Sequence, residues 1–523
     1  MLASPTNIRE LLEAQVERTP DKEFLLLESG DRVFTYRQFD DEVNRAAAVL
    51  IGLGVTRGDR VSLLLVNRAE FLIFYFACFK IGAWAGPVNA LLKPQEIEFI
   101  VADSEAGTMV TQPDMLPNLD PARDHVASLR NVIVVGDDYE WTVIDSRSDS
   151  SSDSSSDRKA LSSNPEQRTP SPEPGLDDEA VIIYTSGTAG KPKGVLLTHG
   201  NLLSNAQQIA ECLRLSAGDR SLIVMPLFHV NALMTTTMAA LWAGGSIVLA
   251  PRFSASHHWE TISRYGVTYF GSVATMLSIL NHAYPGGLPA GLDLSRFRFA
   301  LCGSAPVPLE VLKSFESLFK FPVIEGYGLS ESTCRATFNP IDDRRAGSVG
   351  KPIGNEIQIF DENDQQVGPH QIGEIVLRGP NIMKGYYKNS TATQEGFRSG
   401  WFHTGDLGYR DEDGFFYVVD RMSDMIIRAG ENIYPREVDE VLYQHPKLKD
   451  AATIGVPHEL YGEEVKSFVV PREGEEITEQ EIIEFCRERL ADFKCPKTVE
   501  FVEDIPKGPT GKLLKRELVR FST

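Results

Sequence analysis

Eleven residues, Tyr184-Thr-Ser-Gly-Thr-Ala-Gly-Lys-Pro-Lys-Gly194, constrain this chain more than any other stretch. They follow a run with the pattern of a buried strand, Ala180-Val-Ile-Ile-Tyr184, and lead into a second apolar run, Val195-Leu-Leu197. The polar stretch therefore reads as a loop between two strands. Its glycines let backbone N–H groups approach an anion, its hydroxyls add donors, and Lys191 and Lys193 supply charge, so phosphate is its natural ligand. It is not the common P-loop, which needs four residues between its first glycine and a Gly-Lys-Ser/Thr ending. Here Gly187 and Gly190 are closer than that, and Pro192 follows Lys191. Taken alone, the same composition also fits a surface loop that needs Gly and Ser for its turns.

Around that loop, helical and strand patterns alternate, which predicts an α/β layer fold. A helix is expected around Asn7–Glu17, a strand start at Phe34-Thr-Tyr36, and then a helix to Ile51. Arg60–Leu65 reads as a buried strand, and Glu70–Ile81 as a helix closed by Gly82. Past the loop come a helix with Leu202, Leu203, Ala206, Ile209, Ala210 and Leu213 on one side and strands at Ser246–Leu249 and Phe299–Cys302. A hairpin is expected around an Asp-Gly turn at Gly414. Beyond Arg421 the texture becomes that of a small α+β domain. Its clearest helix starts at Thr478, with Glu481 completing a capping box and Ile482, Phe485 and Leu490 expected inside. The expected division is a large, multi-layer domain of mixed sheets and helices over residues 1–422 and a small, mobile α+β lid over 423–523. Residues 146–174, rich in Ser, Asp and Pro, have too few apolar side chains to offset ordering and read as a disordered insertion.

A net charge of −21 argues against a nucleic-acid-binding surface and gives weight to the few cations inside motifs. Six cysteines with no CxxC pair read as reduced thiols, mostly in cores. No apolar run is long enough to span a bilayer, the start of the chain has no signal-peptide pattern, and a cytoplasmic protein is the default expectation. Peripheral membrane contact stays compatible with these features.

Four further segments are polar or glycine-rich in apolar surroundings: Glu325-Gly-Tyr-Gly-Leu-Ser-Glu-Ser332, Gly400-Trp-Phe-His-Thr-Gly-Asp-Leu-Gly408, Asp420-Arg-Met-Ser-Asp424 and Lys507-Gly-Pro-Thr-Gly-Lys512. With the first loop, with Gly58-Asp-Arg-Val61 and with Pro226-Leu-Phe-His-Val-Asn-Ala-Leu233, they resemble the acyl-adenylate-forming superfamily of AMP-binding enzymes. The resemblance covers nearly the whole chain.

That resemblance implies an AMP-forming ligase. A carboxylate is a poor electrophile, so ATP converts it to an acyl-AMP with release of pyrophosphate, and a thiol then displaces AMP. Cations and donors aimed at the meeting of carboxylate and triphosphate lower the barrier. By resemblance, Thr185, Ser186, Gly187, Thr188, Gly190, Lys191 and Lys193 would cradle the β- and γ-phosphates of ATP. Thr185 and Glu331 would hold Mg²⁺, which favours oxygen ligands. Tyr327, between Gly326 and Gly328, would stack on adenine, with Gly303, Ser304 and Ala305 on the nucleotide's other side and Ser330 keeping the hydroxyl of a usual threonine. Asp406 would take the ribose hydroxyls, Arg421 the ribose or phosphate, and Lys512 the carboxylate and α-phosphate. His229 would gate the acyl carboxylate and the path of the thiol. Arg428–Pro435 would face the site for the thiol step after rotation about Ser423.

The chain carries no carrier-protein domain after Lys512, which favours free CoA as acceptor. The expected acid-binding stretches, Phe228–Met238 and Phe270–Met276, hold no aspartate for an amino group. The pattern of Met425–Glu437 resembles bacterial fatty-acyl-CoA ligases and implies a medium- or long-chain fatty acid. An aryl-CoA ligase, or an acyl-AMP ligase loading a carrier protein, is the alternative within this class. A non-catalytic scaffold descendant is the alternative outside it.

Overall fold

The computed structural model describes residues 5–30, 32–136, 140–145, 159–160, 173–185, 192–303, 307–507, 513–515 and 517–518. Two large sheets carry most of the chain. One has seven strands in the order Val323–Glu325, Phe299–Cys302, Tyr269–Ser272, Arg220–Ile223, Ser246–Leu249, Glu23–Leu27, Val33–Thr35. All its neighbours are parallel except the last pair. Buried on every residue, strands such as Ser246–Leu249 are the continuous apolar runs that a covered parallel sheet requires. The second sheet has nine strands and runs from Gly385–Tyr386 through Lys193–Thr198, Glu179–Thr185, Trp84–Pro87 and Arg60–Leu64 to its far edge.

Local chemistry sets the helix ends. Asn7 caps Ile8–Arg18 through Glu10 N–H, and Thr35 with Gln38 forms a capping box for Tyr36–Gly52. Tyr36, expected in a strand, is therefore the first helical residue; the strand ends at Thr35. Ala69–Ile81 is buried on all its residues and ends on Gly82 at φ 71°, as a core helix stopped by a left-handed glycine should. No described helix is long and apolar enough to cross a membrane.

A five-stranded antiparallel sheet follows, built on Trp401–Arg410 paired with Gly373–Arg378 and with Phe416–Arg421. The expected Asp-Gly turn joins the last pair, with Gly414 at φ 82°. From Ile426 onward a separate five-stranded sheet and the helices Pro435–Leu442 and Glu479–Arg487 have their own apolar clusters, which share no residue with those of the preceding chain. The small unit touches the large one through polar contacts. Arg436 donates from its backbone to Asp420 and from its guanidinium to the Val418 carbonyl at 2.6 Å, and Arg472 meets His282 at 2.9 Å.

Two expectations need correction in detail. Thr478 accepts from Glu481 N–H, but the helix ends at Arg487, so Leu490 lies beyond it and is only half-buried, as is Phe485. Within the segment read as disordered, Lys159–Ala160 forms a short strand paired with Thr142 and Val143, and Pro174 accepts a hydrogen bond from Asn7. Residues 146–158 and 161–172 lie outside the described residues. All six cysteines are free, and five are buried.

Candidate active site

Three parallel strands end level with one another: Ser272 pairs with Cys302, and Cys302 with Glu325. Ligand sites of such sheets lie beyond these carboxyl ends, and here the chain leaves two of the strands on glycine. A Cβ on Gly326 would come within 2.5 Å of the Phe338 ring, and one on Gly328 within 2.0 Å of the Cys334 carbonyl oxygen. The two glycines thus let Gly326-Tyr327-Gly328 press against residues 334–338. Ala336 and Thr337 both donate backbone N–H to the Tyr327 carbonyl, fixing the ring's base.

The Tyr327 hydroxyl donates to Asp406 Oδ2 at 2.6 Å, and Arg421 Nε lies 3.2 Å from Asp406 Oδ1. Asp406 and Arg421 are brought together by strand register, being cross-strand partners in the antiparallel pair Trp401–Arg410 and Phe416–Arg421. The burial of Tyr327, with the Asp406 carboxylate beside it, holds the phenol far above its ordinary pKa. Burial works against the Arg421 charge, but Asp406 outweighs it and keeps the guanidinium firmly protonated.

Glu331 lies in the turn Ser330–Ser332 and is held by the Tyr386 hydroxyl at 2.9 Å. Burial pushes its carboxyl upward, with the tyrosine bond acting in the opposite sense. Tyr386 also lies under the Lys193 ammonium, 5.0 Å from ring centroid to Nζ. Lys193 in turn pairs with Thr185 at the mouth of the antiparallel hairpin. Through Tyr386, then, the base of the expected phosphate loop reaches Glu331. A hydroxyl and a buried carboxyl suit a hard divalent cation, and such an ion would relieve the burial of Glu331. Among the described residues no cluster of three acidic, His or Cys ligands exists.

A cavity of about 800 Å³ opens between the large and small units. Gly326, Tyr327, Gly328, Asp406 and Arg421 line it from the large unit; Asp439, Lys449 and Lys507 are among its small-unit walls. Lys507 pairs with Asp450 and forms a bridge to Leu513, which also lines the cavity. The segment Arg428–Pro435, expected to face the site for the thiol step, is not part of this lining. Arg428 instead pairs with Glu464 at 2.7 Å within the small unit.

His229 is also absent from the lining. It closes a turn to the Pro226 carbonyl, accepts from Asn231 N–H at 3.3 Å, and precedes a π-helix, Ala232–Met238. Ser186, Gly187, Thr188, Gly190, Lys191, Ser304, Ala305 and Lys512 lie outside the described residues. The sequence reading missed Tyr386, Glu325 and Arg335. A lone cation in the run Cys334-Arg-Ala-Thr-Phe338 was the available signal for the last; Tyr386 gave none, because a strand tyrosine is ordinary.

The sequence model of the AMP-binding enzyme family matches residues 12–387, and that of the AMP-binding enzyme C-terminal domain matches 437–512. The chain is 36% identical over 512 residues to oxalate–CoA ligase of Arabidopsis thaliana, covering 97% of this chain and 96% of that one. It is 34% identical over 514 residues to the long-chain-fatty-acid–CoA ligase FadD13 of Mycobacterium tuberculosis, covering 98% of both. The crystal structure of ATP-bound MatB from Rhodopseudomonas palustris superposes with a TM-score of 0.87 at 28% identity, over 98% of this chain and 99% of that one. Motif order, the paired large and small units and these likenesses converge: the chain belongs to the AMP-binding enzyme family, within its AMP-forming acid–CoA ligases.

Proposed function

We propose that the protein joins a carboxylic acid to CoA in two steps at the cavity between its units. In the first, a carboxylate oxygen of the acid attacks the α-phosphorus of ATP and pyrophosphate leaves. In the second, the CoA thiolate attacks the acyl carbon and AMP leaves with the oxygen that joined them. The observation that carries this reading is the Tyr327–Asp406–Arg421 network on the cavity wall. It sets an aromatic face, an acceptor and a fixed cation side by side, which is what adenine, ribose hydroxyls and phosphate require in turn. The Tyr327 hydroxyl and the Arg421 guanidinium hold the Asp406 carboxylate in place as an acceptor for the ribose hydroxyls.

The remaining roles are proposed on the same basis. Thr185 to Lys193 hold the β- and γ-phosphates; Gly303, Ser304 and Ala305 face the nucleotide, and Ser330 supports that loop. Thr185 and Glu331 hold Mg²⁺, which supplies charge to the triphosphate. Lys512 meets carboxylate and α-phosphate, and His229 stands on the path to the acyl carbon. With Asp439, Lys507 and Leu513 against the cavity, the small unit presents its first-step face. Turning Arg428–Pro435 inward requires rotation about exposed Ser423, in the turn Met422–Asp424. The proposed domain boundary is therefore 422/423.

Two bodies compete for the acid. Likeness to FadD13 supports a medium- or long-chain fatty acid. Likeness to oxalate–CoA ligase supports a dicarboxylic acid, and the polar groups buried behind Gly326, Arg335 above all, favour this second reading. The fatty-acid expectation rests on Met425–Glu437, a segment of the small unit that lies outside the expected acid-binding stretches. The test is acid-dependent pyrophosphate release by wild type and Asp406→Ala, with thioester detected by mass. The proposal expects release from wild type, a thioester only when CoA is present, and at least tenfold weaker ATP use in the variant. Equal ATP use by both proteins would remove Asp406 from the nucleotide site.

A further inference from the structure

Arg335 is among the largest fully buried side chains, 1% exposed. Its Nη1 donates to the Gly326 carbonyl at 3.0 Å, and its guanidinium faces the Phe338 ring at 5.3 Å. Among the described residues its Nε and Nη2 have no hydrogen-bond partner, and no acid pairs with it. A buried charge without a counter-ion is strongly disfavoured, and buried arginines are ordinarily paired. The two nitrogens left over are not arbitrary. Nε–H and Nη2–H point in parallel from one edge of the guanidinium, the edge that takes a carboxylate in a two-pronged bond.

The position is built rather than incidental. Asn205 accepts from Arg335 N–H at 3.1 Å, and the amides of Asn205 and Asn381 both donate to its carbonyl, at 2.7 and 3.1 Å. The head group occupies space that glycine leaves open, since a Cβ on Gly303 would fall 2.2 Å from Nη1. It therefore lies at the carboxyl ends of the strands Phe299–Cys302 and Val323–Glu325, directly behind Gly326, one residue from Tyr327. Nearby, the π-helix brings Thr235 against Cys334 at 3.5 Å, and Asn231 lies 3.3 Å from where a Gly271 Cβ would be. None of these side chains lines the cavity itself; they form a buried polar layer behind its Gly326–Gly328 wall, which must give way for a carboxylate to reach them.

We propose that Arg335 determines acid specificity by binding a second carboxylate, at the far end of a dicarboxylic substrate. The proposal rests on the acid–CoA ligase reading. One carboxylate is adenylated at the cavity; the other takes the Nε/Nη2 edge and supplies the missing counter-charge. A simple hydrocarbon acid leaves that edge unpaired and binds weakly, because a site built for a polar group rejects the analogue that lacks it.

The test pairs each dicarboxylic acid with the monocarboxylic acid of equal carbon number: oxalate with acetate, malonate with propionate, succinate with butyrate, phthalate with 2-methylbenzoate. Acid-dependent pyrophosphate release gives kcat and KM for wild type, Arg335→Leu and Arg335→Lys, with thermal melts to establish folding. Wild type should prefer one dicarboxylate over its partner by about 100-fold or more in kcat/KM. Arg335→Leu should reverse that preference, mainly through KM, and Arg335→Lys should recover part of it. A wild type that prefers monocarboxylates overturns the proposal without any variant. A folded Arg335→Leu protein that loses both acids of a pair equally also overturns it, leaving Arg335 as a packing residue. No pyrophosphate release from wild type with any acid counts instead against the ligase reading.

Discussion

Replacing Glu325 by glutamine should flatten the dependence of stability on pH. Glu325 ends the edge strand of the seven-stranded sheet, Val323–Glu325, and is only 5% exposed. Its burial raises the carboxyl from the ordinary 4.5 to about 8; Gly347 N–H and Arg436 oppose the shift, and Glu440 and Glu316 add to it. Below pH 4.5 folded and unfolded chains both hold the proton and the group is neutral to stability. Between 4.5 and about 8 only the folded chain holds it, so stability falls as pH rises, by about 1.4 kcal/mol per unit. Above about 8 the carboxylate is ionised in both states and the full penalty applies. Between pH 5 and 9 this one group should therefore withdraw about 4 kcal/mol. With an unfolding entropy of about 2.1 cal/mol/K per residue over roughly 420 residues, that is about 4–5 °C in Tm. Glutamine keeps the shape and cannot ionise. Melting curves of both proteins across pH 5–9 should diverge in slope, the variant gaining on wild type as pH rises. Parallel curves would refute the reasoning and show that Glu325 is ionised in the fold at neutral pH.

Other substitutions test the site piece by piece. Tyr386→Phe removes the hydroxyl on Glu331 and should raise the Mg²⁺ concentration needed for half-maximal pyrophosphate release by about tenfold, the equivalent of one hydrogen bond. Gly328→Ala drives a methyl onto the Cys334 carbonyl and should cost about 2–3 kcal/mol of overpacking, read as a lower Tm together with lost adenylation. Arg436→Ala cuts the bond to the Val418 carbonyl and should speed proteolysis in the Met422–Met425 segment several-fold, with melting of the large unit unchanged. Lys512→Ala should abolish acyl-AMP formation and leave thioester formation from supplied acyl-AMP intact; loss of both would reassign the lysine.

Where local pattern dictates structure, the sequence was sufficient. Ser246–Leu249 and Phe299–Cys302 have the bounds their apolar runs predict, and Gly82 and Gly414 stop or turn the chain where expected. Asp406 and Arg421 stand in two separate polar segments of the sequence, yet what unites them is cross-strand register, which no linear spacing encodes. Tyr36 was misplaced because its aromatic ring suits a strand, while the deciding feature was the Thr35–Gln38 cap. The π-helix Ala232–Met238 was read only as an acid-binding stretch. Its threonines reveal the geometry in hindsight, since Thr236 and Thr237 both donate to the Ala232 carbonyl. Arg335 offered only a weak signal, a lone cation in an otherwise uncharged run, because a charge reads as solvated until the elements that bury it are assembled.

The chemistry at the centre of this account is attack by the acid's own oxygen on the α-phosphorus of ATP. Turnover of a carboxylate labelled with ¹⁸O on both oxygens, in the presence of ATP and CoA, tests this directly by mass spectrometry of the products. The account predicts one labelled oxygen in AMP, one retained in the thioester and none in pyrophosphate. Label appearing in inorganic phosphate, or AMP without label, would contradict acyl-adenylate formation.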